Sequence, residues 1–271
     1  MSSVQEQIRS VFSSLGMEEV GFLDYTADLA VMQNSSLRRL PPKPAGIILV
    51  LFPYRLAEYP GRNISRYAVV PDYHKTVPAL LNRAAEELEK HFPGEAFVSF
   101  TDHSPIDEVS CAARAGLGMM GENRLLISPR YGSFVFIGEL ITTLPLNAPP
   151  QPIQGCGSCG KCREACPTGT LREGFCAENC LSHITQKKGD LTPGEILLIQ
   201  RGGSAWGCDV CQEVCPHNIR AALPEEWPIT EDPVFSVSED ALDLLCKERA
   251  FGFRGPGVLR RNLALLSPSE I

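Results

Sequence analysis

Cysteine residues dominate the chemistry that this sequence could perform: there are eleven of them. Four form the run Cys156-x-x-Cys159-x-x-Cys162-x-x-x-Cys166, which is followed by Pro167. This is the spacing of bacterial ferredoxins, in which three thiolates wrap one [4Fe–4S] cubane and the fourth binds a different one. The run therefore predicts two neighbouring [4Fe–4S] clusters that pass single electrons at low potential.

A second run of cysteines, together with one further cysteine, brings the candidate ligands to the eight that two clusters require. It reads Cys208-x-x-Cys211-x-x-x-Cys215, followed by Pro216, and it lacks one upstream cysteine, for which Cys180 is the natural replacement. The predicted ligand sets are Cys156, Cys159, Cys162 and Cys215 for one cluster, and Cys166, Cys180, Cys208 and Cys211 for the other. Eight cysteines then supply two sets of four, as two cubanes require.

Two alternatives to these ligand sets are open from spacing. Two C-x-x-C pairs could form a Cys₄ zinc site, although zinc needs neither the third cysteine of the first run nor the Cys-Pro ending of both runs. Cys176 competes with Cys180 for the remaining ligand position. Cys111 and Cys246 lie outside the runs and are expected to be small buried hydrophobic residues.

Composition excludes several classes of protein. The chain has 271 residues, 44% of them hydrophobic, and a net charge of −7, so it can bury a large core and shows no basic surplus for nucleic acid. The amino terminus has no signal-peptide pattern, and the apolar run 46–52 is much shorter than the ~20 residues of a membrane helix. We therefore expect a soluble cytoplasmic protein that contacts no membrane, in which the cysteines serve metal or redox chemistry.

The elements that must position the cysteines follow from hydrophobic periodicity. An i, i+3, i+4 pattern predicts helices, and short apolar runs predict strands. The predicted helices are 4–15, 77–88 and 105–115, and the predicted strands are 20–23, 45–54, 96–100, 125–128 and 133–143. This alternation indicates an α/β domain over residues 1–146, which is the size of an independent domain.

The rest of the chain changes character after a proline-rich linker. We predict a ferredoxin-like cluster domain at 147–222, then an acidic linker with a short helical tail at 223–271. The fold class predicted for the whole chain is α+β. A bare ferredoxin would need only the cluster domain, so a substrate or second cofactor is expected in the first domain.

Asp102 offers a second kind of chemistry. It begins the sequence Asp102-His103-Ser104-Pro105, between a predicted strand and a predicted helix. Either Asp102 or Ser104 could cap that helix. Alternatively, Asp102 could be an acid that donates a proton at the carboxyl end of a strand, where the sites of α/β proteins usually lie. Sequence physics leaves both interpretations open.

Three glycines form a motif that is easily over-interpreted. Gly116, Gly118 and Gly121 match G-x-G-x-x-G, but a helix is predicted before them and an extended segment after them, which is the wrong context for a dinucleotide site. We expect these glycines to let the backbone pass close to something flat or bulky.

Several segments together resemble one family, the cobalamin-dependent epoxyqueuosine reductases. The matching segments are SRYAVVPDYHK (65–75), TDHSPIDE (101–108), RAGLGMMGENRLLISPRYGSFVFIGELITTLPL (114–146), CGSCGKCREACPTGTL (156–171), CLSHIT (180–185) and WGCDVCQEVCPHN (206–218). They cover most of residues 45–218, and the RAGLG…GEN stretch is not shared with ordinary ferredoxins.

The resemblance implies roles for particular residues. Cobalamin would lie between the first domain and the cluster domain, with Asp102 as the proton donor near the cobalt. Cys180 falls on the family's extra cluster ligand. The residues expected to line the cofactor side are Tyr67, Asp72, Tyr73 and His74 of the RYA…DYH signature, and Gly116, Gly118, Gly121 and Asn123 of the RAGLG…GEN stretch.

The resemblance also implies a reaction and its partners. The family reduces the epoxide of epoxyqueuosine in tRNA to an alkene, giving queuosine, and a flavodoxin- or ferredoxin-type protein would supply the electrons. The family commonly continues into a helical-repeat domain that helps to hold tRNA, whereas this sequence stops at Ile271, so we expect fewer tRNA contacts. The alternatives are a related corrinoid reductase acting on another small molecule, and a ferredoxin-like electron-transfer protein without cobalamin.

The choice between the two candidate ligands predicts opposite results for two variants. Cys180→Ala should lose or damage one cluster, because a cubane needs four thiolates. Cys176→Ala should keep the full iron content and is the matched control. Iron analysis and the visible spectrum after anaerobic reconstitution distinguish them, and loss of iron only in the Cys176 variant would reverse the ligand assignment.

Overall fold

The chain divides into two compact units in this computed structural model, which describes residues 3–26, 29, 31–58, 60–172, 174–224, 229 and 232–267. The first unit comprises Met1–Pro53 and His74–Gly157, and the second comprises Tyr54–Tyr73 and Ser158–Ile271. Residues 225–228, 230 and 231 of the predicted acidic linker lie outside the described residues.

The first unit is built on a four-stranded sheet. Its strands are β1 (Val20–Asp24), β2 (Gly46–Pro53), β3 (Phe97–Phe100) and β6 (Val135–Thr142), in the order β1-β2-β6-β3. A separate hairpin consists of β4 (Met119–Met120) and β5 (Leu126–Ile127). The helices are α1 (Val4–Ser14), α2 (Tyr73–His91), whose first residue belongs to the second unit, and α3 (Glu108–Arg114).

The central strand β2 explains how the two faces of the sheet are covered. All eight of its residues are buried, as expected for a continuous apolar run with both faces packed. On one face, Ile47, Leu49 and Leu51 join a core that includes Cys111 of α3, as predicted for that cysteine. On the other face, a side chain at Gly138 would clash with Val77 and Leu81 of α2, so the missing side chain lets the helix approach the sheet.

The sheet of the first unit is antiparallel throughout. Every neighbouring pair of its strands is antiparallel, whereas an α/β domain, as indicated for residues 1–146, usually has a parallel sheet. The predicted strands exist, but β2 and β6 are adjacent in the sheet although 81 residues separate Pro53 from Val135. Periodicity reports burial along a strand and carries no information on which strand pairs with it.

The start of α3 also differs from the prediction. The helix begins at Glu108, not at Pro105, and Asp107 is its N-cap, with the carboxyl group accepting a hydrogen bond from Ser110 N at 2.9 Å. Asp102 and Ser104 therefore do not cap it. The capping interpretation of these two residues is wrong, and both are available for other contacts.

The second unit is helical. Its helices are α4 (Lys161–Ala165), α5 (Leu181–Gln186), α6 (Pro193–Gly202), α7 (Val210–Glu213), α8 (Pro216–Ile219), α9 (Leu242–Glu248) and α10 (Pro256–Leu266). Trp206 is fully buried at the centre of one of its cores and packs edge-on against Phe251, with ring centroids 6.0 Å apart. In the part of the chain that is described, no helix combines the length and apolar character needed to cross a membrane.

Residues 54–73 belong to the second unit together with the cysteine runs, whereas the predicted boundaries placed them in the first domain. Ile64 forms a parallel bridge with Trp206, and Ser65 N donates to the Trp206 carbonyl at 2.7 Å. Val69 O accepts from Val234 N at 2.8 Å. The predicted boundary at 146/147 lies at 157/158 in the structure, and 54–73 is an excursion from the first unit that sequence spacing did not indicate.

Candidate functional site

Asp102 forms a carboxylate–imidazole pair with His74 in the first unit. Asp102 follows β3, and His74 lies in the first turn of α2. His74 Nε2 is 2.9 Å from Asp102 Oδ2, and the two side chains are 39% and 49% exposed. Because both are accessible and in contact, they form an acid–base pair that a substrate can reach.

The backbone holds Asp102 in an uncommon conformation. Its φ is +58°, a left-handed conformation that Asp and Asn adopt more readily than most residues. The Asp102 N–H donates to Glu108 Oε1 at 2.8 Å. The Glu108 side chain therefore anchors this turn, and the direction of the Asp102 side chain depends on that contact.

Two acids that sequence analysis missed lie beneath this turn. Glu139 is fully buried in β6, and its carboxyl group accepts a hydrogen bond from Ser104 Oγ. Burial first, and the nearby Asp102 charge second, raise the pKa of Glu139 to about 8, against the hydrogen bonds from Ser104 and Glu108. Burial and the neighbouring Glu139 likewise raise the pKa of Glu108 well above its usual range. An acidic residue inside the apolar run VFIGELIT was the available signal.

The local backbone structure itself accounts for Gly116, Gly118 and Gly121. A side chain at Gly118 would strike the Ile127 carbonyl oxygen, and one at Gly121 would strike Asn123 Oδ1. Gly116 has a φ of +78°. The backbone at Gly118 and Gly121 therefore passes close to other atoms of the β4–β5 hairpin itself. The role of all three glycines in cofactor binding stays a prediction.

Asn123 has a buried side-chain nitrogen, Nδ2, without a hydrogen-bond partner among the described residues. The residue is 6% exposed. Its Oδ1 accepts a long hydrogen bond from Leu125 N at 3.4 Å. A buried donor without a partner costs stability, so Asn123 suits a ligand that supplies a hydrogen-bond acceptor.

The remaining predicted cofactor residues, Tyr67, Asp72 and Tyr73, belong to the second unit. Tyr67 and Tyr73 meet edge-on with ring centroids 6.4 Å apart. The Tyr67 hydroxyl oxygen accepts hydrogen bonds from Trp206 Nε1 at 2.6 Å and from Gln186 Nε2 at 3.3 Å. Two donors therefore fix the position of the Tyr67 hydroxyl oxygen.

Thiols of the second predicted ligand set lie close together. The charges of Cys166 and Cys180 act on Cys208, and those of Cys208, Cys180 and Cys162 act on Cys211. Burial first, and these like charges after it, raise the pKa of Cys208 to about 11 and that of Cys211 to about 12. Thiols crowded in this way become thiolates only when metal ions neutralise them, as the irons of a cluster do.

Cys176 has a different environment from Cys180. It is half-exposed, and its Sγ donates to Glu178 Oε2 at 3.0 Å. Cys180, in contrast, is among the groups whose charges act on Cys208 and Cys211. This arrangement favours Cys180 as the ligand.

The first ligand run begins with a loop shaped for wrapping. Gly157, Ser158 and Gly160 all have positive φ, between +52° and +85°. Cys159 lies among them and is exposed. Ser158 is uncommon in this conformation, and a succession of left-handed residues turns the backbone around whatever the cysteines bind.

No three His, Cys, Asp or Glu side chains converge on one ion-sized position within the described residues. A cubane does not require such convergence, because each cysteine binds a different iron at a separate corner.

Asp209 connects the cysteine run to the SRYA segment, and sequence analysis missed it. Its carboxyl group is buried and accepts hydrogen bonds from Arg62 Nη1 at 2.7 Å and from the Arg66 backbone N–H at 2.8 Å. Arg66 also donates to both carboxyl oxygens of Glu58, at 2.7 and 2.8 Å. This ionic network fixes residues 62–66 against the loop that carries Cys208.

Family models match both units. "Epoxyqueuosine reductase QueG, DUF1730" matches residues 35–103, and "4Fe-4S double cluster binding domain" matches residues 155–218. The second match agrees with the prediction of two clusters.

Relatives cover most of the chain. An epoxyqueuosine reductase of Synechocystis sp. is 37% identical over 75% of this chain and 74% of its own length. That of Lactococcus garvieae is 32% identical over 97% and 86%. A crystal structure of epoxyqueuosine reductase with an epoxyqueuosine-modified tRNA-Tyr stem loop is 25% identical, with a TM-score of 0.81 over 97% of this chain and 80% of that one.

Glu139 predicts a pH dependence of stability. Its pKa of about 8 in the folded protein exceeds the ~4.3 of an unfolded chain, so the folded state holds the extra proton between these values. The free energy of unfolding should therefore fall by up to a few kcal/mol as pH rises from about 5 to 9. Glu139→Gln should remove most of that fall.

Urea unfolding of the cluster-loaded protein at several pH values measures this effect. Glu87→Gln changes an exposed carboxylate, which pairs with Lys90, and is the matched control that should retain the decline. If Glu139→Gln and the unaltered protein lose stability in parallel across this range, Glu139 is ionised in the folded state and the assignment is wrong.

Proposed function

Since the chain belongs to the epoxyqueuosine reductase family, we propose that it reduces epoxyqueuosine in tRNA to queuosine with two [4Fe–4S] clusters and cobalamin. The observation that carries the proposal is the accessible contact between Asp102 and His74 in the first unit. Removal of an epoxide oxygen consumes two electrons and requires protonation of the departing oxygen. An acid open to substrate is therefore the residue this reaction needs.

Asp102 is the proton donor in this proposal, and His74 is its partner. The 2.9 Å contact with His74 Nε2 fixes the direction of Oδ2. Because Asp102 is half-exposed, it can be reprotonated from solvent after each turnover. Cobalamin, when bound, would supply the reducing chemistry that breaks the carbon–oxygen bond, while the protein orients the substrate and provides the acid.

Cobalamin would be held by the side chains that the family resemblance implies. The residues we assign to it are Tyr67, Asp72, Tyr73, His74, Gly116, Gly118, Gly121 and Asn123. The unpartnered Nδ2 of Asn123 supports the assignment. It suits a cofactor whose rim carries many amide groups.

The two clusters would deliver electrons one at a time from a flavodoxin- or ferredoxin-type donor. We assign Cys156, Cys159, Cys162 and Cys215 to one cluster and Cys166, Cys180, Cys208 and Cys211 to the other. The mutual influence of Cys166, Cys180, Cys208 and Cys211 supports the second set. A low-potential cluster beside a reducible cofactor is a suitable electron source.

The tRNA substrate is inferred from a relative. A crystal structure of epoxyqueuosine reductase holds a modified tRNA stem loop, and its fold matches 97% of this chain. Modification of tRNA would place the reaction in the cytoplasm.

Asp102→Asn tests the catalytic role. Asparagine has the same shape and tolerates the left-handed backbone, but it cannot donate a proton as a carboxylic acid. Reduction of epoxyqueuosine-tRNA should fall by about 10²-fold or more, measured as queuosine formed in a single turnover by mass spectrometry of the digested tRNA. Iron content and cobalamin binding should stay unchanged. Unaltered turnover would remove Asp102 from the mechanism.

Cobalamin binding is tested on the anaerobically reconstituted protein. Addition of cob(II)alamin should alter the cobalt absorption and EPR spectra, because the protein replaces the cofactor's solvent surroundings. Asn123→Ala should weaken this change and leave the iron content intact. An unperturbed cobalt spectrum with both clusters present would instead support a pure electron-transfer protein.

A further inference from the structure

Two carboxylic side chains, Glu108 and Glu139, form an acid pair beneath the turn that carries Asp102. Glu108 begins α3, and Glu139 lies in β6 with no exposed surface. The two carboxyl groups influence each other's ionisation, which places them close together. The proposed reaction assigns no catalytic role to either residue.

The acid pair holds the Asp102 turn at two points. Glu108 Oε1 accepts the Asp102 backbone N–H at 2.8 Å, and Glu139 Oε1 accepts the Ser104 hydroxyl. The same Ser104 oxygen accepts the Ile106 backbone N–H at 3.2 Å. The conformation of residues 102–106 therefore depends on acceptors supplied by two other elements, α3 and β6.

The charges around the acid pair do not neutralise it. Asp102 acts on both members and Asp107 on Glu108, and both of these neighbours are acidic. The adjacent Cys111 thiol is itself buried, with a pKa raised to about 12, and Arg114 is the cation acting there. Two ionised carboxylates in contact without a cation would repel each other strongly in this buried setting.

A proton between the two carboxyl groups resolves a second difficulty. Glu139 Oε2 is buried and has no hydrogen-bond partner among the described residues. If one of the acids is protonated, the contact between the two carboxyl groups becomes a hydrogen bond from an acid to a carboxylate, which is among the stronger kinds. Oxygens Oε1 of both residues remain free to accept from Asp102 and Ser104.

We infer that Glu108 and Glu139 share one proton, and that this acid pair is the positioning device that holds Asp102 in its left-handed, substrate-facing conformation. The inference deepens the proposed function and rests on it for the role of Asp102. Neither member touches the reacting atoms, so both are positioning residues. Loss of the shared proton at alkaline pH places two negative charges in contact and releases the turn. The pKa of Glu139, raised to about 8, sets the range in which this occurs.

The first measurement does not depend on turnover. Infrared difference spectra between the cluster-loaded protein and Glu139→Gln at neutral pH should show the C=O band of one protonated carboxyl group that the variant lacks. Hydrogen–deuterium exchange of peptides covering residues 101–106 should accelerate about tenfold in Glu108→Ala, which loses the acceptor for Asp102 N–H. Glu108→Gln keeps an acceptor oxygen and should retain protection, so a general loss of structure is recognised.

The second measurement is the pH profile of turnover. The unaltered protein should lose activity as pH rises through about 8, because Asp102 is no longer held. Glu139→Gln imitates the protonated acid, so it should keep kcat within about threefold near neutral pH and lose the alkaline decline. Glu139→Leu should lower kcat at least about tenfold with little change in KM for the tRNA. Glu87→Gln, on the exposed face of α2, is the control.

The outcomes distinguish the inference about the acid pair from the proposed function. Absence of the carboxylic-acid band in the unaltered protein overturns the shared proton, whatever the activity. Unchanged exchange at 101–106 in Glu108→Ala, or an alkaline decline that persists in Glu139→Gln, overturns the positioning role. If the unaltered protein fails to reduce epoxyqueuosine-tRNA, the proposed function fails, while the infrared and exchange results still decide whether the acid pair holds the Asp102 turn.

Discussion

The register between β2 and β6 is the constraint on which the first unit depends. Leu49 lies opposite Glu139, and Val50 lies opposite Gly138. Successive strand residues face opposite sides of a sheet, so this register directs Glu139 toward α3 and puts the missing side chain of Gly138 under α2. A slip of one residue would turn the carboxyl group toward α2 and push a helix off the sheet. The chemistry at Asp102 and the packing of α2 thus rest on the same ladder of hydrogen bonds.

Much of the site could be predicted from the sequence because its signals are local. The cysteine spacing gives the clusters, and apolar runs give β2 and β6, since both depend on residues a few positions apart. The antiparallel pairing and the burial of Glu139 beneath Asp102 could not be predicted, because they join residues that are distant in the chain. The start of α3 was misplaced by three residues because Pro105 and Asp107 are both good helix-start residues, and packing chose the second.

The second unit illustrates how distant segments become one structure. Arg62 and Arg66 precede the cysteine runs by about a hundred residues, yet they meet Asp209 between two predicted cluster ligands. A buried carboxylate needs compensation by cations or hydrogen-bond donors, and here a separate segment of chain supplies both. The RYA signature and the second cysteine run are therefore parts of a single network, although they read as unrelated motifs.

The buried indole of Trp206 has an optical consequence. The ring is fully buried, donates to Tyr67 Oη and lies two residues from Cys208. Iron–sulfur clusters absorb broadly where tryptophan emits, so energy transfer over so short a separation extinguishes fluorescence. The chain has one other tryptophan, Trp227, whose emission can be subtracted with Trp206→Phe. A cluster bound at Cys208 would therefore quench the emission of Trp206, and loss of that cluster would restore it.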